Sequence, residues 1–223
     1  MFLGVSLLLF SCKSTGAKGP IANFFPGTNT EAVSIGSAAM QFNKFFSSGI
    51  EKKDVETYFD PHTDMVYLQF RYQTVVYRQF WDKSNRLQFI TALEKYKKDY
   101  EAKKLNLKGS RAIRAYGILK GLTVWGQFSS NIFMNAASRP RLELGYQFKQ
   151  NSPYFTVHQL AADNIYNASD EGKSSIAITT YFTRAQADEL AKLFDQQYLL
   201  SFSGPKSAPA DTAPAQDEGY TEK

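Results

Sequence analysis

Cysteine occurs once in these 223 residues, at position 12, and histidine only twice, at His62 and His158. One thiol excludes an intrachain disulfide framework and any CxxC metal or redox site. Neither histidine stands in HExxH or another metal-ligand spacing. No GxSxG is present, and Gly117, Gly121 and Gly126 are followed by neither a Lys-Ser/Thr pair nor a helix start of the phosphate-binding kind. The chain is therefore expected to be no enzyme and to carry no cofactor and no metal site. Asp60, His62 and Asp64 are the densest potential ligand set, but three ligands on one short loop seldom suffice. Asp60-Pro61-His62 reads as a turn ahead of a strand, and His158 as a hydrogen-bonded strand residue. Long apolar runs are missing too: Val5 to Phe10 falls far short of the about 20 residues a spanning helix needs.

Aromatic residues, by contrast, are abundant, with 18 Phe, 13 Tyr and 2 Trp. Such side chains bury large areas and suit sheet faces and contact surfaces. Hydrophobic residues at 43% and charged residues at 21% are globular proportions. The net charge of +5 is enough for attraction to anionic headgroups without specifying them.

Periodicity places the elements. Ala32 to Phe46 reads as a first strand, and Asp54 to Asp60 as a short polar connection. Met65 to Phe80 is the longest extended signal, with Val66, Leu68, Phe70, Tyr72 and Val76 on one face at period two and a bulge or bend expected near Thr74 to Tyr77. Asp82-Lys83-Ser84-Asn85 offers N-cap side chains. Leu87, Phe89, Ile90, Leu93, Tyr96 and Tyr100 then form the stripe of an amphipathic helix ending near Lys103. Its lysine-rich outer face, with Lys95, Lys97 and Lys98, reads as a solvated surface. Ala112 to Phe128 is extended but thinned by glycines, as one coiled strand or two. Leu142, Leu144, Tyr146 and Phe148 alternate with polar residues or Gly, which predicts a strand with one buried face, and Tyr154 to Ala161 returns as its hairpin partner. Ser175 to Phe182 is the last strand. Thr183-Arg184-Ala185-Gln186 is a capping box that opens a helix with Ala187, Leu190, Ala191, Phe194 and Tyr198 inside. The fold class is α+β: antiparallel sheet with two amphipathic helices, arranged as two β-rich units each closed by a C-terminal helix.

The segment Leu7-Leu8-Leu9-Phe10-Ser11-Cys12 resembles the lipobox of bacterial lipoproteins, including the relaxed form known in spirochaetes. The resemblance implies that Cys12 is diacylated, with palmitate-type chains, and becomes the mature N-terminus. Two acyl chains give lasting membrane attachment where one is marginal, at about 0.8 kcal/mol per buried CH₂. The expected division is a signal peptide over 1–11, whose missing basic n-region implies an upstream start, then a lipidated tether over 12–30. One domain follows over 31–202, with a repeat boundary near 109, and a disordered tail over 203–223. Asn23 to Asn29, with a Pro-Gly turn beside Phe24 and Phe25, is where the chain is expected to dock onto the domain.

The function expected on this basis is a non-enzymatic binding or structural role in the cell envelope. The chain would be lipid-anchored at the cell membrane or outer membrane and face the periplasm or the cell surface, with an envelope protein or glycan as partner. The candidate binding surface is Tyr67, Arg71, Tyr77, Lys97 and Lys98. The second half, with hairpin strands around Lys149-Gln150-Asn151, the strand Ser175 to Ile178 and the helix around Asp188 to Phe194, also resembles a Pur-type nucleic-acid-binding repeat. That resemblance implies the alternative: a single-stranded nucleic-acid binder using Tyr67, Arg71, Tyr77 and Arg78 as a stacking platform.

Overall fold

Alternation of apolar and polar residues builds most of the sheet. The computed structural model describes residues 32–44, 49–106, 112–126, 136–166 and 173–203. The chain runs β1 (Val33–Asn43), β2 (Ile50–Asp60), β3 (Met65–Tyr72), β4 (Val75–Trp81), α1 (Lys83–Glu101), a 3-10 turn (Ala112–Arg114), β5 (Gly117–Lys120), β6 (Leu122–Gly126) and β7 (Ala136–Ser138). It continues through β8 (Arg141–Lys149), β9 (Ser152–Gln159), β10 (Ala162–Asp163), β11 (Ser174–Ser175), β12 (Ile178–Phe182), α2 (Arg184–Phe194) and α3 (Gln196–Leu200). Ten strands form one antiparallel sheet in the order β5-β8-β9-β12-β1-β2-β3-β4-β6-β7, and β10 pairs with β11 separately. The sheet curls into a half-barrel with the helices against it, so the class is mixed α+β but mainly β.

Two four-strand meanders meet in the middle of this sheet. β1 to β4 lie side by side in chain order and lead into α1; β5, β8, β9 and β12 do the same and lead into α2. The seam between them is β1 on β12, where Gln41 stands opposite Tyr181 and Phe42 opposite Thr180. β6 continues the first meander by pairing with β4 and carries β7 on its far edge.

One aromatic cluster joins the two halves. Phe89 of α1 is fully buried. Its ring centroid lies 5.2 Å from Phe194 of α2, 5.7 Å from Trp81, 5.4 Å from Phe155 and 6.2 Å from Phe182. The residue preceding each helix cap packs against the opposite helix: Trp81 lies 5.0 Å from Phe194, and Phe182 meets Phe89. Edge-to-face and tilted pairs of this kind add about 0.5–1.5 kcal/mol each beyond burial. Asp82 caps α1 by accepting from the Asn85 N–H at 2.7 Å. Thr183 and Gln186 form the reciprocal capping box of α2.

Several expectations are corrected. Met65 to Phe80 is a hairpin: Gln73, at φ 56°, and Thr74 turn the chain between β3 and β4. The turn reverses the facing, so Val76 packs outward with Tyr67 and Phe80 while Val66, Leu68 and Phe70 point into the main core. Asp54 to Asp60 belongs to β2, because Val55, Thr57 and Phe59 alternate inward behind exposed Asp54 and Glu56. Ala112 to Phe128 divides into a 3-10 turn, β5 and β6. At Gly145 a Cβ would fall on the Ala112 carbonyl, so glycine lets that turn cross β8. The expected last strand breaks after Ser175 into β11 and β12, and Tyr198 lies on α3, which Asp195 caps separately. On α1 the stripe is shifted: Leu87 is 53% exposed, whereas Arg86 is 1% exposed. The Arg86 guanidinium donates to the Asp64 and Trp81 carbonyls and the Gln196 side-chain oxygen, and pairs with the Asp64 carboxylate at 2.7 Å. Phe45, Phe46 and Phe128, the leader and tether, and the tail after Ser203 lie outside the described residues.

A core shared in this way makes each half dependent on the other. Residues 32–106 and 112–203, produced separately, are each expected to show no cooperative unfolding transition, and mixing them should restore one. Phe89→Ala should lower the stability of the whole chain by about 3–5 kcal/mol, read from urea unfolding. A cooperative transition in either isolated half would overturn the shared core.

Candidate functional site

The interior of the half-barrel is filled by side chains. Besides the aromatic cluster it holds a polar chain in which Trp81 Nε1 donates to Gln79 at 3.1 Å, and Gln79 and Thr123 both donate to the Gln159 oxygen, at 3.1 and 2.8 Å. These groups tie β4 and β6 to β9 across the curl, so recognition falls to the outer surface.

The five residues of the predicted binding surface are not brought together. Tyr67 and Tyr77 lie on opposite faces of the sheet, and both are buried, at 4% and 2% exposure. Tyr77 points into the core and stacks on Phe70 at 5.7 Å, where burial pushes its hydroxyl pKa up to about 12. Tyr67 lies in the outer cluster, stacked on Tyr58 at 4.9 Å beneath the Arg78 guanidinium at 5.1 Å. Arg78 also donates to Gln69 at 2.7 Å, and Gln69 and Tyr58 both donate to Glu56. The free aromatic face is thus corrected to a covered one. Arg71 is exposed at the end of β3, where its carbonyl accepts from Lys53. Lys97 bridges the helices, pairing with Asp188 at 3.1 Å and Glu94 at 3.3 Å, and these bonds raise its pKa. Lys98 is exposed on α1. Cys12 lies outside the described residues.

The other singled-out groups are engaged by neighbours. The Asp60 carboxylate accepts from the His62 N–H and the Thr63 hydroxyl, both at 2.9 Å, and Asp64 serves Arg86. Among the described residues no three His, Cys, Asp or Glu side chains gather as a metal site. Glu143, His158 and Thr179 form a row across β8, β9 and β12. Thr179 Oγ1 lies 2.7 Å from His158 Nδ1, and buried Glu143 takes Arg141 at 2.9 Å.

The feature that sequence reasoning missed is a cleft of about 400 Å³ at the α1 end of the sheet. Met65, Phe80 and Leu122 supply an apolar wall; Asp82, Asn85, Lys120, Gly121 and Arg139 complete the lining. Two hydrogen bonds set its shape: Asn85 Nδ2 donates to the Lys120 carbonyl at 3.0 Å, and the Gly121 N–H to the Pro140 carbonyl at 2.8 Å. The lining comes from four separate stretches of chain, so no local spacing could announce it. Among the described residues neither Lys120 nor Arg139 has a carboxylate within ion-pair distance. Such a cleft can hold an anionic group against an apolar wall.

Burial holds the His158 pKa below its ordinary value, and the Glu143 carboxylate opposes that shift. The unfolded chain therefore binds a proton that the folded chain does not, and stability falls as pH drops below about 6.5 towards the lowered folded value. His158→Gln keeps a partner for Thr179 and should reduce the stability lost between about pH 7.5 and 5.5, measured as the shift in urea midpoint. An identical loss in both proteins would rule His158 out as its source.

A family model described as an uncharacterised Treponema protein matches residues 32–201. An uncharacterized protein of Treponema pallidum (strain Nichols) is 28% identical over 155 residues, covering 68% of this chain and 53% of that protein. The chain thus spans about half the length of that curated relative. No solved structure matches. The family match takes in every described strand and helix, from β1 to α3, and the chain belongs to this uncharacterised family of the spirochaete Treponema.

Proposed function

We propose that the chain is a lipoprotein of the spirochaete cell envelope, held in the cell membrane or outer membrane by a diacylated Cys12, with a non-enzymatic binding or structural role toward an envelope protein or glycan. The observation that carries the anchor is the run Leu7 to Cys12, which brings the only thiol directly behind an apolar segment and a small residue. The non-enzymatic reading is supported by how the polar groups are used. Asp60 holds a turn, Asp64 holds Arg86, and His158 and Glu143 engage Thr179 and Arg141. No helix among the described residues is long and apolar enough to cross a membrane, so attachment on this reading rests on the acyl chains.

One observation favours the alternative of a Pur-like single-stranded nucleic-acid binder: four strands followed by a helix occur twice in the chain. Against it, Tyr67 is covered by Arg78 and Tyr77 is inside the core, so neither offers a ring face to a base.

The test is processing in the native bacterium or a lipoprotein-competent host. The wild-type chain should incorporate labelled fatty acid and enter the detergent phase on phase separation, while Cys12→Ser should do neither. A wild-type protein that takes up no label and washes from membranes in high salt would remove the proposal and favour the nucleic-acid reading.

A further inference from the structure

The cleft end of the domain gathers basic side chains on one face of the sheet. Lys120 on β5 stands directly opposite Arg141 on β8, and like charges in directly opposed positions destabilise a sheet. Arg139 lies two residues before Arg141 and lines the cleft with Lys120, and Lys83, the first residue of α1, is exposed beside it. The acids nearby are committed elsewhere: Asp82 caps α1 and Glu143 takes Arg141. On the same side of β5 as Lys120, Ile118 is 48% exposed. Cations held together beside an exposed aliphatic side chain and an apolar cleft are complementary to an anionic, partly apolar surface.

The path of the chain supplies the second argument. Ala32, just before β1, packs into the outer cluster that also contains Met65 and Leu122, two of the cleft's apolar residues. The N-terminal segment therefore joins the domain beside the cleft. Cys12 precedes Ala32 by 20 residues, which at about 3.3–3.6 Å per residue reach at most some 70 Å. An anchor at Cys12 keeps this end, more than the opposite one, near the bilayer.

We infer that this end of the domain, with Lys120, Arg139 and Arg141 around the cleft and Ile118 beside it, docks on the anionic lipid surface of the membrane that holds the anchor. The orientation relative to the bilayer rests on the proposed lipidation of Cys12, whereas the affinity for anionic lipid does not. Each basic side chain at such a surface contributes about fivefold in binding, and the effect decays within a Debye length. Docking leaves the far end of α1 and the turn between β8 and β9, which meet where the Tyr96 hydroxyl donates to the Pro153 carbonyl, turned outward.

The experiment uses the full chain carrying Cys12→Ser, so that no acyl chain contributes, and measures co-sedimentation with phosphatidylcholine vesicles made with and without phosphatidylglycerol. Binding is expected only where phosphatidylglycerol is present and should weaken with added salt, but not with inorganic phosphate at matched ionic strength. Lys120→Gln with Arg139→Gln should cost roughly 25-fold. Lys95→Gln with Lys98→Gln, toward the other end of α1, should change binding less than twofold. All four residues are exposed, and a cooperative urea transition in each variant would show that it folds. Three results would overturn the inference: equal binding to neutral vesicles or none at all, full binding by the Lys120/Arg139 variant, or loss confined to the Lys95/Lys98 variant. Tight binding of a single-stranded oligonucleotide through Lys120 and Arg139 without vesicle binding would overturn it as well. Fatty-acid labelling of the wild type reports on the anchor separately, so the two readings fail independently.

Discussion

The contact between Phe89 and Phe194 is the constraint on which the architecture turns. A sheet of ten strands has two faces to cover, and its concave face needs apolar side chains from outside the sheet. α1 and α2 supply them, but neither helix covers only the meander it follows: α1 packs on β5 and β8 as well as β4, and α2 on β1 as well as β9 and β12. Phe89, Trp81, Phe182 and Phe194 mark where these crossings meet. Burial of large aromatic rings at one point is worth several kcal/mol, a large fraction of the net stability of a domain. Among the described residues, most aromatic side chains are thus buried.

Much of the local structure was legible because it follows from short periods. The strand over Leu142 to Phe148, the capping box at Thr183 and Gln186 and the helix behind Asp82 all appear where their patterns lie, although Glu143 and Gly145, on the face expected to be wet, are buried too. The errors have a common physical origin. At Gln73 and Thr74 a two-residue turn carries no Gly, Pro or Asn; Gln73 takes a positive φ normally left to those residues, so the chain read as one long strand. In β2 the outward residues Lys52, Asp54 and Glu56 hide a half-buried strand behind charge. On α1, Arg86 takes a buried position because its guanidinium finds partners on the loop before β3 and on α3, and such partners are invisible until the chain is folded.

The candidate site was less legible than the fold for the same reason. The spacing of Tyr67 and Tyr77 puts them on one face of a continuous strand, and the hairpin cancels it, since the turn sends equal parities to opposite faces. The lysine-rich face of α1 reads as solvated surface, yet Lys97 spans the two helices. The cleft and its basic rim come from β3, the end of β4 and start of α1, the β5–β6 connection and the β7–β8 connection, which only the strand order makes neighbours. The charge opposition of Lys120 and Arg141 is likewise a fact of register. No sequence period encodes it.

The seam of β1 on β12 also bears on how such a chain is made. β1 finds one of its two neighbours only when residues near 181 have arrived, and long-range pairing of this kind slows folding because the loop must close before the contact forms. Until then one edge of the first meander lacks its partner strand and α1 lacks Phe194, so an emerging N-terminal half presents an open strand and an uncovered apolar face, both prone to association. A polypeptide with this strand order cannot complete its fold progressively as it leaves a ribosome or a translocation channel. Its native state is reached only after α2 has cleared the exit, and until then the chain stays open enough to be threaded onward.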